Sequence, residues 1–421
     1  MFAKKDPQVL VVGAGPVGLL AALVLAKRGV RVQIVDRDWR TGAHSYALAL
    51  HGQALKLLSG FGVFQDILQR ASRVHSVGVY AGAERKAEFC LSNDGDDLSA
   101  LVVLPQDVLE RLLENALHDL GVDVLWNHEV TRLIPHDDRV DVTIDTMEKA
   151  STGYAVARQE WTVAKSTQLS VPLLIGADGL RSFVRRTLGI DFMRAGPSQQ
   201  YAVFETRTDV NLKPEMRLML GEHTTDAVWP LPEKYCRWSF ELLAPPAPPG
   251  PRVKDRLSMQ LGGADFASLS EDNLHQLIAE RAPWFAGHVE EITWRLVVPF
   301  ERRLANRFGC GRVWLAGDAA HTTAPAGMQS MNVGLSEADQ LADLMAGVLE
   351  DGQDLARLEA YNRERSAQWR QLLGLEGSLR PGRDTDPWIA EHFDRLLPCL
   401  PASGYDLQRL AQQVGAVAGA S

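Results

Sequence analysis

The run "QVLVVGAGPVG", Gln8–Gly18, decides the fold. A short apolar strand, Gln8–Val12, breaks at a glycine turn and opens a helix that runs from Pro16 to Arg28 and is closed by Gly29. Arg31–Val35 then reads as a second strand, ending at Asp36. Strand, helix, strand is the start of a parallel βαβ unit. Gly13, Gly15 and Gly18 fit the pattern G-x-G-x-x-G. Gly13 is expected to make the tight turn and Gly15 to let the backbone approach a pyrophosphate. Gly18 seats the helix begun by Pro16 and Val17, whose first N–H groups face the phosphates. Asp36 can accept from an adenosine ribose hydroxyl and disfavours a 2′-phosphate, so FAD or NAD is expected rather than NADP. The uncharged stretch Val9–Ala26 behind Lys4-Lys5 mimics a secretory signal, but the glycines fall where a strand–turn–helix needs them.

Composition narrows the class. A chain of 421 residues is long for one core, so two or three folding units are expected. Apolar content of 46% and charged content of 23% mark a globular protein without a membrane span. A net charge of −9 argues against nucleic acid as a partner. The pairs Arg185-Arg186 and Arg302-Arg303 are too short to alter that and read as solvated faces. Cys90, Cys236, Cys310 and Cys399 lie far apart without a CxxC pair. That spacing suggests neither a metal site nor a disulfide framework, and it suits a cytoplasmic protein.

Beyond the first unit, Ala54–Leu68 has helical spacing and Val74–Leu91 alternates like strands. Asp107–Leu120 reads as a helix, and Val122–Leu125, Val140–Ile144 and Trp161–Val163 as strand material. After Gly189 the pattern changes. "QYAVFETRT" (200–208) and "KYCRWSFELL" (234–243) alternate, and "APPAPPGP" (Ala244–Pro251) excludes helix or central strand. The predicted class is α/β: a Rossmann-like nucleotide-binding domain over 1–189, with a strand excursion at about 74–100. Residues 190–298 form an inserted antiparallel-sheet domain, 299–350 return to the first domain, and 351–421 form a helical C-terminal region.

Two later segments carry chemistry. In "LLIGADGLRSFVRRTLG" (Leu173–Gly189) a buried-type strand ends at Asp178-Gly179 and a basic helix follows. An Asp-Gly turn in which Asp178 caps that helix explains the segment without a ligand. In "RVWLAGDAAH" (Arg312–His321) the pair Gly317-Asp318 puts Asp318 just past the end of a strand, where open parallel sheets place their ligands. The next helix begins near Ser330, with its free N–H groups toward the loop.

Taken in order, Gly13/Gly15/Gly18, Asp178-Gly179 and Gly317-Asp318 resemble the class A flavoprotein monooxygenases, the para-hydroxybenzoate hydroxylase-like FAD enzymes, over about residues 8–350. The resemblance implies non-covalent FAD, with its adenosine diphosphate on the first turn and a ribityl hydroxyl held by Asp318. The loop from Pro325 through Gly327, Met328 and Met331 to Asn332 would line the flavin's pyrimidine edge. Gln106 matches a flavin-contacting glutamine or arginine; as a bare sequence feature it is a first-turn polar residue. NADH or NADPH would reduce the flavin as a transient co-substrate. O2 would then form a C4a-hydroperoxide that hydroxylates a small, aromatic substrate.

This sequence departs from the family pattern in three places. The usual G-G-Q-G-M-N loop reads Gly327-Met328-Gln329-Ser330-Met331-Asn332, and losing glycines removes access to positive φ and adds bulk near the ring. Tyr46 stands where the family commonly has an arginine for the pyrophosphate, which leaves its neutralisation to Arg37 or Arg40, or to the helix N-terminus alone. The chain is also expected to lack the thioredoxin-like C-terminal domain of the phenol hydroxylase branch. Substrate-pocket candidates are Tyr201, Arg217, His223 and Trp229 on the sheet, with Pro325 from the loop. His321 suits a structural hydrogen bond better than a catalytic base. A reductase or dehydrogenase of the same fold, or a non-catalytic flavin-binding subunit, are the alternatives; "YCRWSFEL" is not the W-x-W-x-I-P of a flavin halogenase. The chain is expected to act as a monomer or homodimer.

Overall fold

In a computed structural model, residues 6–40, 49–91, 101–152, 158–243, 267–323 and 326–419 are described. Val9–Val12 forms the centre of a six-stranded sheet, parallel to Val32–Val35 on one side and Leu173–Gly176 on the other. Val313–Leu315 extends the sheet in parallel beyond Leu173–Gly176, and Val124–Leu125 beyond Val32–Val35. Each central strand is buried on both faces, hence the unbroken valine and leucine runs. The helix Pro16–Lys27 is apolar nearly all round because it packs between the sheet and the long helix Gln329–Glu350.

The predicted helical stretch Ala54–Leu68 is two short helices, Gly52–Leu58 and Phe64–Arg70, joined by a 3₁₀ turn. Gly62, at φ 77°, ends that turn, a conformation open to glycine at little cost. The next helix is Gln106–Asp119. His128–Pro135, Val140–Thr152 and Arg158–Val171 make a three-stranded antiparallel sheet of their own.

The second large sheet has eight strands. Its spine is the antiparallel pair Phe192–Thr208 and Val289–Ala305, each 17 residues long. The meander Glu215–Leu220, Thr225–Pro230 and Tyr235–Glu241 builds outward from it. Ser76–Ala81 and Glu84–Cys90, from the first half of the chain, complete the far edge. His321–Thr322 adds a short strand against Arg303 and Leu304 at the opposite edge. One face of this sheet packs on the helix Glu271–Arg281 through Phe204, Trp238 and Phe240. The other packs on the C-terminal helices Pro387–Leu396 and Gly404–Gln412 through Met216, Leu218 and Trp229.

Of the arginine pairs read as solvated faces, Arg186 is exposed, but Arg185 is buried and Arg302 and Arg303 are partly buried. Arg185 is 5% exposed and donates to Ala319 O and Leu180 O, at 2.7 and 2.9 Å. Arg302 donates to Leu373 O and Arg303 to Phe192 O. The planar guanidinium fork lets a buried arginine satisfy itself on carbonyl oxygens, which a rule about charged surfaces does not anticipate.

Candidate functional site

The site is assembled where the first turn meets the Gly-Asp turn. Gly13 has φ +105°, and a Cβ there would lie 2.3 Å from Ala177 O, so the first turn and the residue before Asp178 touch through backbone. A Cβ on Gly18 would meet Gly13 O at 1.9 Å, so the helix sits directly on its own loop. Gly15 is different: a Cβ there would meet nothing within 4 Å. Its face is open, and no side chain caps the helix that starts at Pro16. Free N–H groups beside open space form an anion cradle, and the residues present therefore fit a pyrophosphate.

Val17 links the two halves. A Cβ on Gly317 (φ +64°) would come within 2.9 Å of the Val17 side chain, and one on Gly334 within 2.8 Å. Two glycines thus grip one valine, locking the first helix to the Gly-Asp turn and to the long helix. Asp36 turns inward, accepting from Ala14 N at 2.6 Å and Asp38 N at 2.8 Å. Burial raises its pKa, and those two N–H bonds work against the rise. A carboxylate has lone pairs beyond two such bonds, so acceptance from a ribose hydroxyl is still open to it. Arg37 is exposed beside it, and Arg40 lies over the Trp39 ring at 4.2 Å.

Asp318 follows the strand Val313–Leu315 and enters a 3₁₀ turn, Gly317–Ala319. Its side chain is exposed, and among the described residues it has no hydrogen-bond partner. The protein crowding the rest of the carboxyl raises its pKa; His321 opposes the rise and Glu337 adds to it. A reachable, unpartnered carboxylate at the C-terminal end of a parallel strand suits a ligand hydroxyl.

The Asp-Gly motif has the capping geometry. Asp178 Oδ2 accepts from Phe183 N at 2.6 Å and Val184 N at 3.1 Å, while its buried Oδ1 is unpartnered. Arg185, on that short helix, reaches Ala319 O and so ties the Asp-Gly motif to the Gly-Asp turn. Gln106 bonds Glu110 at 2.7 Å along its own helix, from a partly buried position.

The loop after the Gly-Asp turn holds the largest surprise. Met328 stands at φ 50°, ψ 28° as N-cap of the long helix, so a methionine occupies the left-handed conformation that glycine would take cheaply. The side chain packs with the apolar cluster of the sheet and C-terminal helices, alongside Ala326 and Leu400. Asn332 commits its amide to protein: Nδ2 donates to Ala49 O at 3.0 Å and Met328 O at 2.7 Å, and Oδ1 accepts from His51 N at 2.8 Å. Met331 is half-buried against the first core. Among the described residues no side chain caps the helix Gln329–Glu350, and its first N–H groups suit a ligand. Tyr46 and Pro325 lie outside the described residues.

The sheet candidates separate. Tyr201 and Trp229 lie on the face that carries the C-terminal helices, and Tyr201 meets Phe300 edge-on at 5.7 Å. Arg217 lies on the opposite face, paired to Glu215 at 2.6 Å with its guanidinium 4.2 Å from the Trp284 ring. His223 is in the exposed turn between Glu215–Leu220 and Thr225–Pro230.

Sequence reasoning missed Glu337. It is fully buried, and its Oε2 accepts from Gly317 N at 2.9 Å and from His321 Nε2 at 2.7 Å. Its Oε1 accepts from Trp369 Nε1 at 2.5 Å, and the Trp369 ring stacks on His321 at 3.7 Å. His321 therefore makes the structural bond expected of it. The clue in the sequence was a carboxylate on the Val333/Leu341 stripe of an otherwise apolar helix face.

Known proteins share this organisation. The chain is 30% identical over 364 residues to 6-methylpretetramide 4-monooxygenase of Streptomyces rimosus, covering 85% of this chain but 59% of that relative. It is 27% identical over 366 residues to para-nitrophenol 4-monooxygenase of Pseudomonas sp. (strain WBC-3), covering 85% and 82%. The solved p-nitrophenol 4-monooxygenase of Pseudomonas putida DLL-E4 superposes with a TM-score of 0.68 at 21% identity, over 97% of this chain and 94% of that one. Residues 6–375 match the FAD binding domain family, and on that match the chain belongs to this family, the class A flavoprotein group that its three motifs resemble.

Proposed function

We propose that the chain is an FAD-dependent monooxygenase that inserts one atom of O2 into a small aromatic substrate, with NADH or NADPH as electron donor. When bound, FAD supplies hydride acceptance and oxygen activation. The observation that carries the reading is the free Asp318 carboxylate, joined through the grip on Val17 to the open cradle at Gly15. Together they make a two-ended site for one long dinucleotide. Gly15 and the uncapped helix at Pro16 receive the pyrophosphate, Asp36 the adenosine ribose, and Asp318 a ribityl hydroxyl. The uncapped N-terminus of Gln329–Glu350 favours negative charge on the ring system next to it. Tyr201 and Phe300 meet edge-on on the sheet, an aromatic pair that suits a flat, apolar substrate beside it. Relatives named for 6-methylpretetramide and para-nitrophenol favour a phenolic substrate class. All four cysteines are free thiols, in keeping with a reducing cytoplasm. Among the described residues no helix is long and apolar enough to cross a membrane.

The test is turnover under labelled O2 with a panel of phenols. Nicotinamide oxidation should accelerate with the right phenol, and the product should carry oxygen from O2. Label arriving from water, or full turnover without air, would refute the monooxygenase reading.

A further inference from the structure

The loop ahead of the long helix is held by a distant part of the chain. Gln329 is 1% exposed, and its Nε2 donates to both Leu400 O and Ala402 O at 3.2 Å. A Cβ on Gly327 would stand 2.6 Å from Pro398 O and 2.9 Å from Leu400 O, so the two backbones lie against each other. From the other side His51 Nε2 donates to Gly327 O at 3.0 Å. The segment containing residues 398–402 has a second anchorage. Arg395 donates to Gly221 O, Glu222 O, Thr224 O and Thr225 Oγ1 at the turn of the hairpin Glu215–Pro230. The helices on either side of the segment bury Ile389, Phe393, Leu407 and Leu410 in the same core as Met216 and Trp229.

We propose that Gln329 is a positioning residue that makes docking of the C-terminal segment 387–412 and order in the cofactor loop 326–332 a single equilibrium. The inference rests on assigning that loop to the flavin. A loop with Met328 in a costly left-handed conformation keeps its shape only when its surroundings impose it. The imposing partners are His51 on one side and the carbonyls of Leu400 and Ala402 on the other. A ligand that prefers the ordered loop must then favour the docked segment by the same factor as docking favours the ligand.

Hydrogen–deuterium exchange on the full chain, stripped of FAD and loaded with it, tests this beside FAD titrations. The variants are Gln329→Met and Arg395→Met. In wild type, FAD should slow exchange in both 326–332 and 387–412. Gln329→Met should speed exchange in 387–412 and weaken FAD about tenfold. Arg395→Met, whose guanidinium reaches the turn at 221–225 rather than the loop, should also speed exchange at 326–332 and weaken FAD several-fold. That is an effect a merely local structural role would not produce. If Arg395→Met frees 387–412 while loop exchange and FAD affinity stay at wild-type values, the coupling is overturned. It is also overturned if FAD protects the loop but leaves 387–412 unchanged, and in that case the cofactor site stands. Absence of any protection of 326–332 by FAD would remove the loop from the cofactor site, and the inference with it.

Discussion

Glu337→Gln is the most informative single change, because it keeps shape and alters only hydrogen-bond bookkeeping. The wild-type side chain accepts three bonds, from Gly317 N, His321 Nε2 and Trp369 Nε1, all fully enclosed. A glutamine has one acceptor oxygen. With that oxygen toward Gly317 and His321, its NH2 opposes the indole N–H of Trp369. With the oxygen toward Trp369, the histidine can move its proton to Nδ1 and accept, but Gly317 N loses its partner. Either way one buried donor is stranded, at a cost of about 1–3 kcal/mol. For a protein of this size that is roughly 1–3 °C in Tm. A thermodynamic cycle isolates the cause: Trp369→Phe removes the stranded donor. It should therefore cost about 1–2 kcal/mol less in the Glu337→Gln background than in wild type. Denaturant melts of the four proteins measure this. Additive penalties, or a Glu337→Gln protein as stable as wild type, would refute the three-donor account.

Gly15→Ala should leave the FAD-free fold within about 0.5 kcal/mol of wild type, since φ −71° suits alanine and the Cβ meets no protein atom. It should weaken FAD on the order of tenfold or more, whereas Gly13→Ala, aimed at Ala177 O, should damage the fold itself; melts and flavin titrations separate the two. Asp318→Ala should cut FAD affinity roughly ten- to hundred-fold with little change in the stability of the FAD-free protein, as its carboxylate has no hydrogen-bond partner among the described residues. Burial lowers the pKa of His51 from 6.5 to about 4, so the folded protein holds it neutral where the unfolded chain takes up a proton. The stability this leaves intact above pH 6.5 should be lost as pH falls from 6.5 through about 4, by about 2–3 kcal/mol. His51→Gln should remove that part of the pH dependence in urea melts at pH 7.5 and 4.5.

Much of the nucleotide-binding half was legible because local rules and the global fold agree there. Glycine spacing, strand–helix alternation and a carboxylate at a strand end each carry their meaning within a few residues of chain. What escaped depends on partners distant in sequence. Arg185 looked like surface until the carbonyl of Ala319 came to it, and Glu337 needed donors from three other segments. Met328 shows the limit of propensity: the argument that it could not take positive φ fails because neighbouring packing imposes the conformation. Arg217 and Trp229 could not be told apart without knowing which face of the sheet the C-terminal helices cover.

The paired strands Phe192–Thr208 and Val289–Ala305 run side by side for 17 residues each, a girder about 55 Å long. Tyr201 and Phe300 sit near its middle, and one end is Thr208 against Val289. The other passes beside the strand His321–Thr322, which issues directly from the Gly-Asp turn. A girder that crosses from one domain into the other leaves no hinge between them. Wholesale domain closure is therefore an unsuitable way to admit nicotinamide and then shut out water. The moving parts must be small: the ring system itself, the short loop beside it, and whatever rests upon that loop.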